Sequence, residues 1–265
     1  MPTLASSPTS TLTDRWTVYV TGIDTAFDNR IVSGISEQVI RGGLSEQIFI
    51  EERDDAEVLD RWTENRDDLG ADLWLMIRGI DDQQFLIIPT TPLTSPPLFR
   101  HDQAVIPWMS LLSGEPVLFL SQSDSTDIVE QFVLGLYAMH IEDYGIAETH
   151  FKRAQGLSLL LDESTHRNLN EGTLGVFIGA AQVGQGNATD ALATFSRASR
   201  QSPELLSVYV NRAGAYLQLG DFNAALADLD RVVNQKADDP FVHYNMALAL
   251  FSLEMTQNPF PYCAD

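Results

Sequence analysis

The stretch LSVYVNRAGAYLQLGDFNAALADLDRVVNQKADD, residues 206–239, decides the fold of this chain. Each half places apolar residues at helical spacing, and Gly220 between the halves predicts a tight corner. The same pattern occurs elsewhere in the chain at a fixed spacing. Gly186 precedes Gly220 by 34 residues, and Ala213 precedes Ala247 by 34 residues. A period of this length predicts an array of stacked helix pairs rather than one closed bundle.

Small and large residues alternate along this array in the same register. The position where two helices would cross closely holds only Gly or Ala: Gly135, Gly179, Ala213 and Ala247. Large side chains that would fill the space between the helices follow at a second position: Phe151, Phe195 and Leu229. Gly135 and Gly179 are 44 residues apart, ten more than one period, and the extra residues fall within residues 157–170. We therefore expect three helix pairs and one further helix over residues 128–253, with an insertion after the first pair.

This register resembles the tetratricopeptide repeat, a unit of two antiparallel helices, over about half of the chain. The stretch 206–239 is the clearest unit, although Arg212 stands where the family has Leu and no Pro follows at Ala237. In the preceding unit Gly175 replaces the usual bulky aromatic residue. The resemblance implies a right-handed superhelix over residues 126–255, followed by an irregular tail at 256–265. It also implies a non-enzymatic protein-binding scaffold.

The N-terminal half predicts a small α/β domain at residues 15–122. Strands are expected at residues 16–20, 47–50, 73–77 and 85–88. Two helices should lie between the first three strands: one starts at Asp28 with an apolar face of Ile31, Ile35, Val39 and Ile40, and one runs from Asp54 or Asp55 to about Gly70. This order predicts three parallel strands and a final antiparallel hairpin. Residues 89–107 are a Pro-rich connector, and residues 1–14 are a disordered leader or linker.

A short segment, GADLWLMIRG at residues 70–79, is similar to the end of a helix and the following strand in TolB-type N-terminal α/β domains of bacterial proteins. The overall fold class is therefore expected to be α/β plus all-α, with the α/β layer before a helical solenoid. A bacterial protein is the corresponding expectation. A cytoplasmic location is expected because residues 1–14 lack the charged start and apolar core of a signal peptide.

The formal net charge of −21 limits the classes of partner. Such a negative field repels nucleic acid and anionic lipid, and any charged partner should be basic. No apolar run approaches the ~20 residues that a membrane-spanning helix needs. A single cysteine, Cys263, excludes an internal disulfide and a cysteine metal cluster.

The expected binding site is the concave face of the array, formed by the first helix of each unit. The resemblance assigns it an apolar set of side chains, called here the concave-face set: Val129, Phe132, Leu136, Met139, Val176, Val183, Val210, Leu217, Tyr244, Leu248 and Phe251. Such a groove suits an amphipathic or apolar segment of another protein with basic flanks, or an apolar segment of the N-terminal domain folded back. No basic residue stands in the set, which disfavours recognition of a carboxylate terminus.

No catalytic pattern is present in the sequence. There is no phosphate-binding Gly-rich loop with Lys, no Gly-x-Ser-x-Gly elbow and no pair of histidines at the i, i+4 spacing of a helical metal site. No cofactor or metal is expected, and the chain is predicted not to be an enzyme. The alternative is a ligand-sensing or regulatory subunit of a bacterial signalling or defence complex. Its ligand would bind at the carboxyl ends of the parallel strands, near Asp24, Glu51 and Glu52.

Overall fold

The computed structural model describes residues 15–21, 25–52, 73–80, 83–87, 118–120, 126–160, 164–235 and 240–257. The N-terminal elements are β1 (Trp16–Thr21), α1 (Thr25–Arg41), β2 (Ile48–Glu52), β3 (Leu73–Ile80), β4 (Gln83–Ile87) and β5 (Leu118–Leu120). The predicted leader, the second predicted helix, the Pro-rich connector and the end of the predicted tail lie outside the described residues.

The described strands form one sheet in the order β2-β1-β3-β4-β5. β1 pairs in parallel with both β2 and β3, and β3 pairs with β4 in an antiparallel hairpin. β5 adds to β4 in the antiparallel direction, a pairing that the sequence pattern does not specify. Because β1 and β2 are parallel neighbours, their carboxyl ends lie at the same edge of the sheet.

Helix α1 buries the stripe that its spacing predicts. Ile31, Ile35 and Val39 lie one helical turn apart on one face, and each is buried. Ile40, which the pattern also assigns to this face, is instead 67% exposed because it lies one residue past the stripe. The helix starts at Thr25, before the expected Asp28, and ends before Gly42 and Gly43. Gly43 has a φ of 69°, a conformation that favours glycine and turns the chain toward β2.

Seven helices follow among the described residues, in the predicted arrangement of three pairs and one further helix. They are α2 (Thr126–His140), α3 (Tyr144–Ser158), α4 (Ser164–Gly184), α5 (Ala188–Gln201), α6 (Leu206–Leu219), α7 (Phe222–Val233) and α8 (Pro240–Gln257). We call α2 and α3 unit one, α4 and α5 unit two, α6 and α7 unit three, and α8 unit four. The first helix of unit two has 21 residues against 15 in unit one, so the insertion lengthens the start of α4.

The corners of the pairs use one backbone conformation. Glu142, Gly186 and Gly220 occupy equivalent positions and have φ values of 60°, 80° and 76°. Asp143 and Asp221 then cap the second helices, each accepting a backbone N–H bond of 3.1 Å. Glycine fits this conformation without steric cost, whereas Glu142 adopts it against its own preference.

Close helix crossing explains where the sequence places glycine and phenylalanine. A Cβ added to Gly135 would overlap the ring of Phe151, and one added to Gly179 would overlap the ring of Phe195. Both rings are fully buried, as predicted. Close crossing also explains why Gly175 replaces the bulky aromatic residue that the repeat family has at this position. A Cβ added there would lie 2.8 Å from the Cβ of Ala198. An aromatic residue at that position would force α4 and α5 apart.

One buried core joins the N-terminal region to the first repeat. It contains Trp16, Ile31 and Leu118 together with Phe132 and Tyr137. The Trp16 ring lies 5.5 Å from the Tyr137 ring and stacks on His140 at 6.0 Å. Helix α1 and strand β5 contact α2 and α4 respectively. The N-terminal region is therefore packed on the start of the repeat array.

Candidate protein-binding face

The structure buries most of the concave-face set. Eight of its eleven members are at most 9% exposed, all of them in units one to three: Val129, Phe132, Leu136, Met139, Val176, Val183, Val210 and Leu217. The remaining three lie on α8. Tyr244 and Leu248 are half-buried, and Phe251 is 61% exposed. Accessible concave-face side chains are therefore concentrated in unit four.

Different neighbours bury the set in different units. In unit one the members belong to the core that also holds Trp16, Ile31 and Leu118, so the N-terminal region shares their burial. Val176 and Val183 of unit two pack with residues of α5 and α6. Val210 and Leu217 of unit three pack with residues of α7 and α8. The register correctly identifies apolar positions, but it does not indicate which of them another part of the same chain covers.

The first helices also carry polar atoms that the predicted apolar set does not include. Thr173 Oγ1, Ser207 Oγ and Asn245 Nδ2 are buried and have no hydrogen-bond partner within the part of the chain that the structure describes. Leaving such an atom unsatisfied costs about 1–3 kcal/mol. Asn211, one turn after Ser207, instead donates its Nδ2 to the Ser207 carbonyl at 2.8 Å. These helices therefore combine apolar side chains with buried polar groups.

A largely buried ion pair replaces the Leu that the repeat pattern expects at Arg212. Its Nε and Nη2 atoms each donate to a carboxylate oxygen of Asp228 at 2.7 Å, and Nη1 donates to Ser199 Oγ at 3.1 Å. This bidentate pair links α6 to α7 and also reaches α5. The hydrogen bonds to Asp228 raise the pKa of Arg212 against the opposing effect of burial. An Arg at an apolar register position, with an Asp on the facing helix, is the sequence signal for the pair.

A polar network joins units one and two. Glu148 accepts hydrogen bonds from Gln182 at 2.9 Å and from Gln185 at 2.8 Å, and it pairs with Lys152 at 2.7 Å. Thr194 in turn donates to Gln182 Oε1 at 2.9 Å. Burial alone raises the pKa of Glu148, but the hydrogen bonds from Lys152, Gln185 and Gln182 outweigh it and hold the pKa below its ordinary value.

The carboxylate of Glu130 lies between α1 and α2, and its pKa is shifted in the opposite direction to that of Glu148. Glu130 is 6% exposed and lies against Gly34, where a Cβ would overlap its carboxylate. Burial raises the pKa of Glu130, and the negative charges of Asp127 and Glu37 add to this effect. A hydrogen bond with Gln38 acts in the other direction without reversing it. An open hollow of about 520 Å³ adjoins this contact, lined by Gln38, Arg41, Asp127, Glu130, Gln131, Arg153, Gly156 and Leu157.

The predicted ligand site is only partly within the described residues. Glu51 and Glu52 lie at the end of β2 in register with Tyr19 and Val20 of β1, whereas Asp24 lies outside the description. His140 stacks on Trp16, and His150 pairs with Gln131 at 2.9 Å. Burial lowers the pKa of His150, and the charge of Arg153 adds to this effect. Within the described ranges, no group of three or more His, Cys, Asp or Glu side chains is placed to hold a metal ion.

None of the helices in the described residues is both long enough and apolar enough to cross a membrane.

Comparison with known proteins agrees with the register in the C-terminal half. A family model described as tetratricopeptide repeat matches residues 182–249, from the end of α4 into α8. The match includes no residue of the N-terminal region, so the TolB-type similarity gains no support from it. No curated protein matches the chain. Residues 182–249 are thus similar to tetratricopeptide repeats, a family that generally mediates protein–protein interactions.

Proposed function

We propose that the chain is a non-enzymatic scaffold whose repeats bind a segment of another protein. The observation that carries the proposal is the array itself. It consists of three helix pairs in series followed by α8, the first helix of unit four, which keeps concave-face side chains accessible. Stacked helix pairs provide an extended surface without catalytic groups, and such surfaces serve binding. The family match over residues 182–249 supports the same function.

The binding site is centred on unit four. Phe251 is 61% exposed, and Tyr244 and Leu248 are half-buried on the same face of α8. These three side chains follow one another at spacings that place them on one stripe. The eight other members of the concave-face set are buried in the folded chain and act as the support for this stripe.

The partner segment is an amphipathic helix with an apolar face and basic flanks. Its apolar face matches the Tyr244–Leu248–Phe251 stripe, as in other helix-in-groove contacts. Its basic flanks match the net charge of −21. The apolar contacts then determine affinity, and the charges increase the association rate and make it sensitive to salt.

A library of helical peptides displayed on phage tests this proposal without a known partner. We expect selection on the 265-residue chain to enrich peptides with apolar residues at i, i+3 or i+4 and basic residues at both ends. Removing both aromatic rings with Tyr244→Ala and Phe251→Ala should weaken the selected peptides at least about tenfold, since anchoring aromatics carry much of the binding energy.

Leu219→Ala is the matched control, because Leu219 is 50% exposed but lies at a repeat corner. Its affinity for the peptides should equal that of the parent. Peptides that bind the Tyr244→Ala and Phe251→Ala variant as tightly as the parent would refute a site on α8. Raising the salt concentration should weaken binding by a smaller factor than the double substitution.

The second candidate is ligand sensing by the N-terminal sheet as part of a regulatory complex. It is favoured by the adjacent ends of β1 and β2, where Glu51 and Glu52 follow each other. A cationic ligand fits this edge better than a nucleotide, because acidic side chains repel phosphate. A concentration-dependent rise in the melting temperature with a divalent or organic cation, abolished by Glu51→Gln and Glu52→Gln, would favour this function over the scaffold.

A further inference from the structure

Helix α8 exposes two positions that are buried in the first helices of units two and three. In the first helices of units two and three, the positions equivalent to His243 and Ala247 are Gly175 and Gly179, then Tyr209 and Ala213, and all four are buried. In unit four both positions are exposed, as are Leu250 and Glu254, which continue the stripe. We call His243, Ala247, Leu250 and Glu254 the hairpin face of α8.

The same face binds a helix of its own unit elsewhere in the chain. Gly135 receives the ring of Phe151, and Gly179 receives the ring of Phe195. In each case a small residue on the first helix meets a large side chain of the antiparallel second helix. At Ala247 no large side chain fills the equivalent position among the described residues, and Leu250, one turn further, is 53% exposed.

We propose that the hairpin face binds the hairpin face of a second copy of this chain, with the two α8 helices antiparallel. A two-fold axis between Ala247 and Leu250 places the small Ala247 of each copy opposite the large Leu250 of the other. The small-against-large contact of the internal helix pairs is thereby formed twice. A face of this kind is self-complementary, which is what a two-fold interface requires.

The charges of α8 are also compatible with this pairing. The chain carries a net charge of −21, but Glu254 is the only Asp, Glu, Lys or Arg between Pro240 and Gln257. Two copies therefore approach each other at a weakly charged helix. The same axis places Glu254 of each copy opposite position 243 of the other, so the two carboxylates do not face each other.

The interface differs from the proposed partner site on the same helix. The partner stripe contains Tyr244, Leu248 and Phe251, whereas the hairpin face is offset by one residue. A single helix pair also covers less surface than a standard stable interface, so the dimer should form in the micromolar range rather than at lower concentrations.

Sedimentation equilibrium over a micromolar concentration series tests the proposal on the 265-residue chain. We expect a monomer–dimer equilibrium in the parent and a dissociation constant at least about tenfold higher for Leu250→Glu, because the interface would bury an unpaired carboxylate. Leu219→Glu is the control, since Leu219 is similarly exposed, and its dimerisation should match the parent. A parent that stays monomeric, or equal dimerisation of Leu250→Glu and the parent, would overturn the proposal.

Cysteine pairing tests the register of the two helices. In a Cys263→Ser background, Ala247→Cys and Leu250→Cys chains should form a mixed disulfide under mild oxidation faster than either chain alone, because each thiol faces the other position across the axis. Circular dichroism melting checks that each variant is folded. Equal rates for the mixture and for the separate chains would overturn the antiparallel pairing.

Discussion

At the start of the repeat array α2 packs against α1, and Trp16 lies on Tyr137 and His140. At the other end α8 leaves Leu250, Phe251 and Met255 exposed. Arrays of repeats need their terminal units covered, because each unit buries its apolar surface only against its neighbours. The N-terminal region supplies that cover at one end. Among the described residues α8 has no comparable cover, and the proposed function therefore places stability at the first end and partner binding on α8.

Two phenylalanines provide the largest expected contrast between the ends. Phe151 is fully buried, 5.8 Å from the ring of Phe132 and 5.2 Å from that of Phe177. Phe151→Ala should lower the free energy of unfolding by about 3–5 kcal/mol, the usual cost of a core phenylalanine. Phe251→Ala should change it by less than about 0.5 kcal/mol. Urea denaturation followed by circular dichroism measures both values, and equal losses would remove the distinction between the ends.

Two carboxylates provide the next contrast. Asp228→Ala would leave the largely buried guanidinium of Arg212 without its carboxylate partner and should cost about 3 kcal/mol. Glu254→Ala, at the exposed end, should cost less than about 0.5 kcal/mol. Replacing both members of the pair with leucine should restore most of the loss, since the expected Leu would then occupy position 212. A double variant as unstable as Asp228→Ala would show that the pair has a further role.

The smallest contrast concerns the pH dependence of stability at the covered end. Because the pKa of Glu130 is raised from 4.5, the folded chain loses stability as the pH rises through that raised pKa. Glu130→Gln should therefore unfold at a higher temperature than the parent at pH 7, and the gap should close below pH 4.5. Melting temperatures across this pH range measure the gap.

Glu148→Gln is the matched control with the opposite sign. The pKa of Glu148 is lowered from 4.5, so its contribution is present above that pH and is lost as the pH falls through the lowered pKa. The variant should be less stable than the parent at pH 7. If both variants raised the melting temperature at pH 7, or both lowered it, the assigned environments of these two carboxylates would be wrong.

The sequence predicts the helix pairs well because their geometry is local. Gly135 and Phe151 follow from the need to pack two helices closely, and this need repeats with the period. The burial of Val129 and Phe132 depends on contacts with neighbouring helices and on a core shared with Trp16, which no period records. The exposure of Ile40 likewise depends on where α1 packs. Local pattern thus predicts which residues are apolar, while tertiary contacts decide which apolar residues remain accessible.

The contact of Trp16 with Tyr137 has a consequence for synthesis of the chain on the ribosome. Trp16 and the apolar stripe of α1 are made before α2, which completes their core about a hundred residues later. Contacts between distant parts of a chain form slowly, and the exposed apolar surface is prone to aggregation in the interval. The nascent N-terminal region thus keeps this apolar surface uncovered until residues 126–140 leave the exit tunnel.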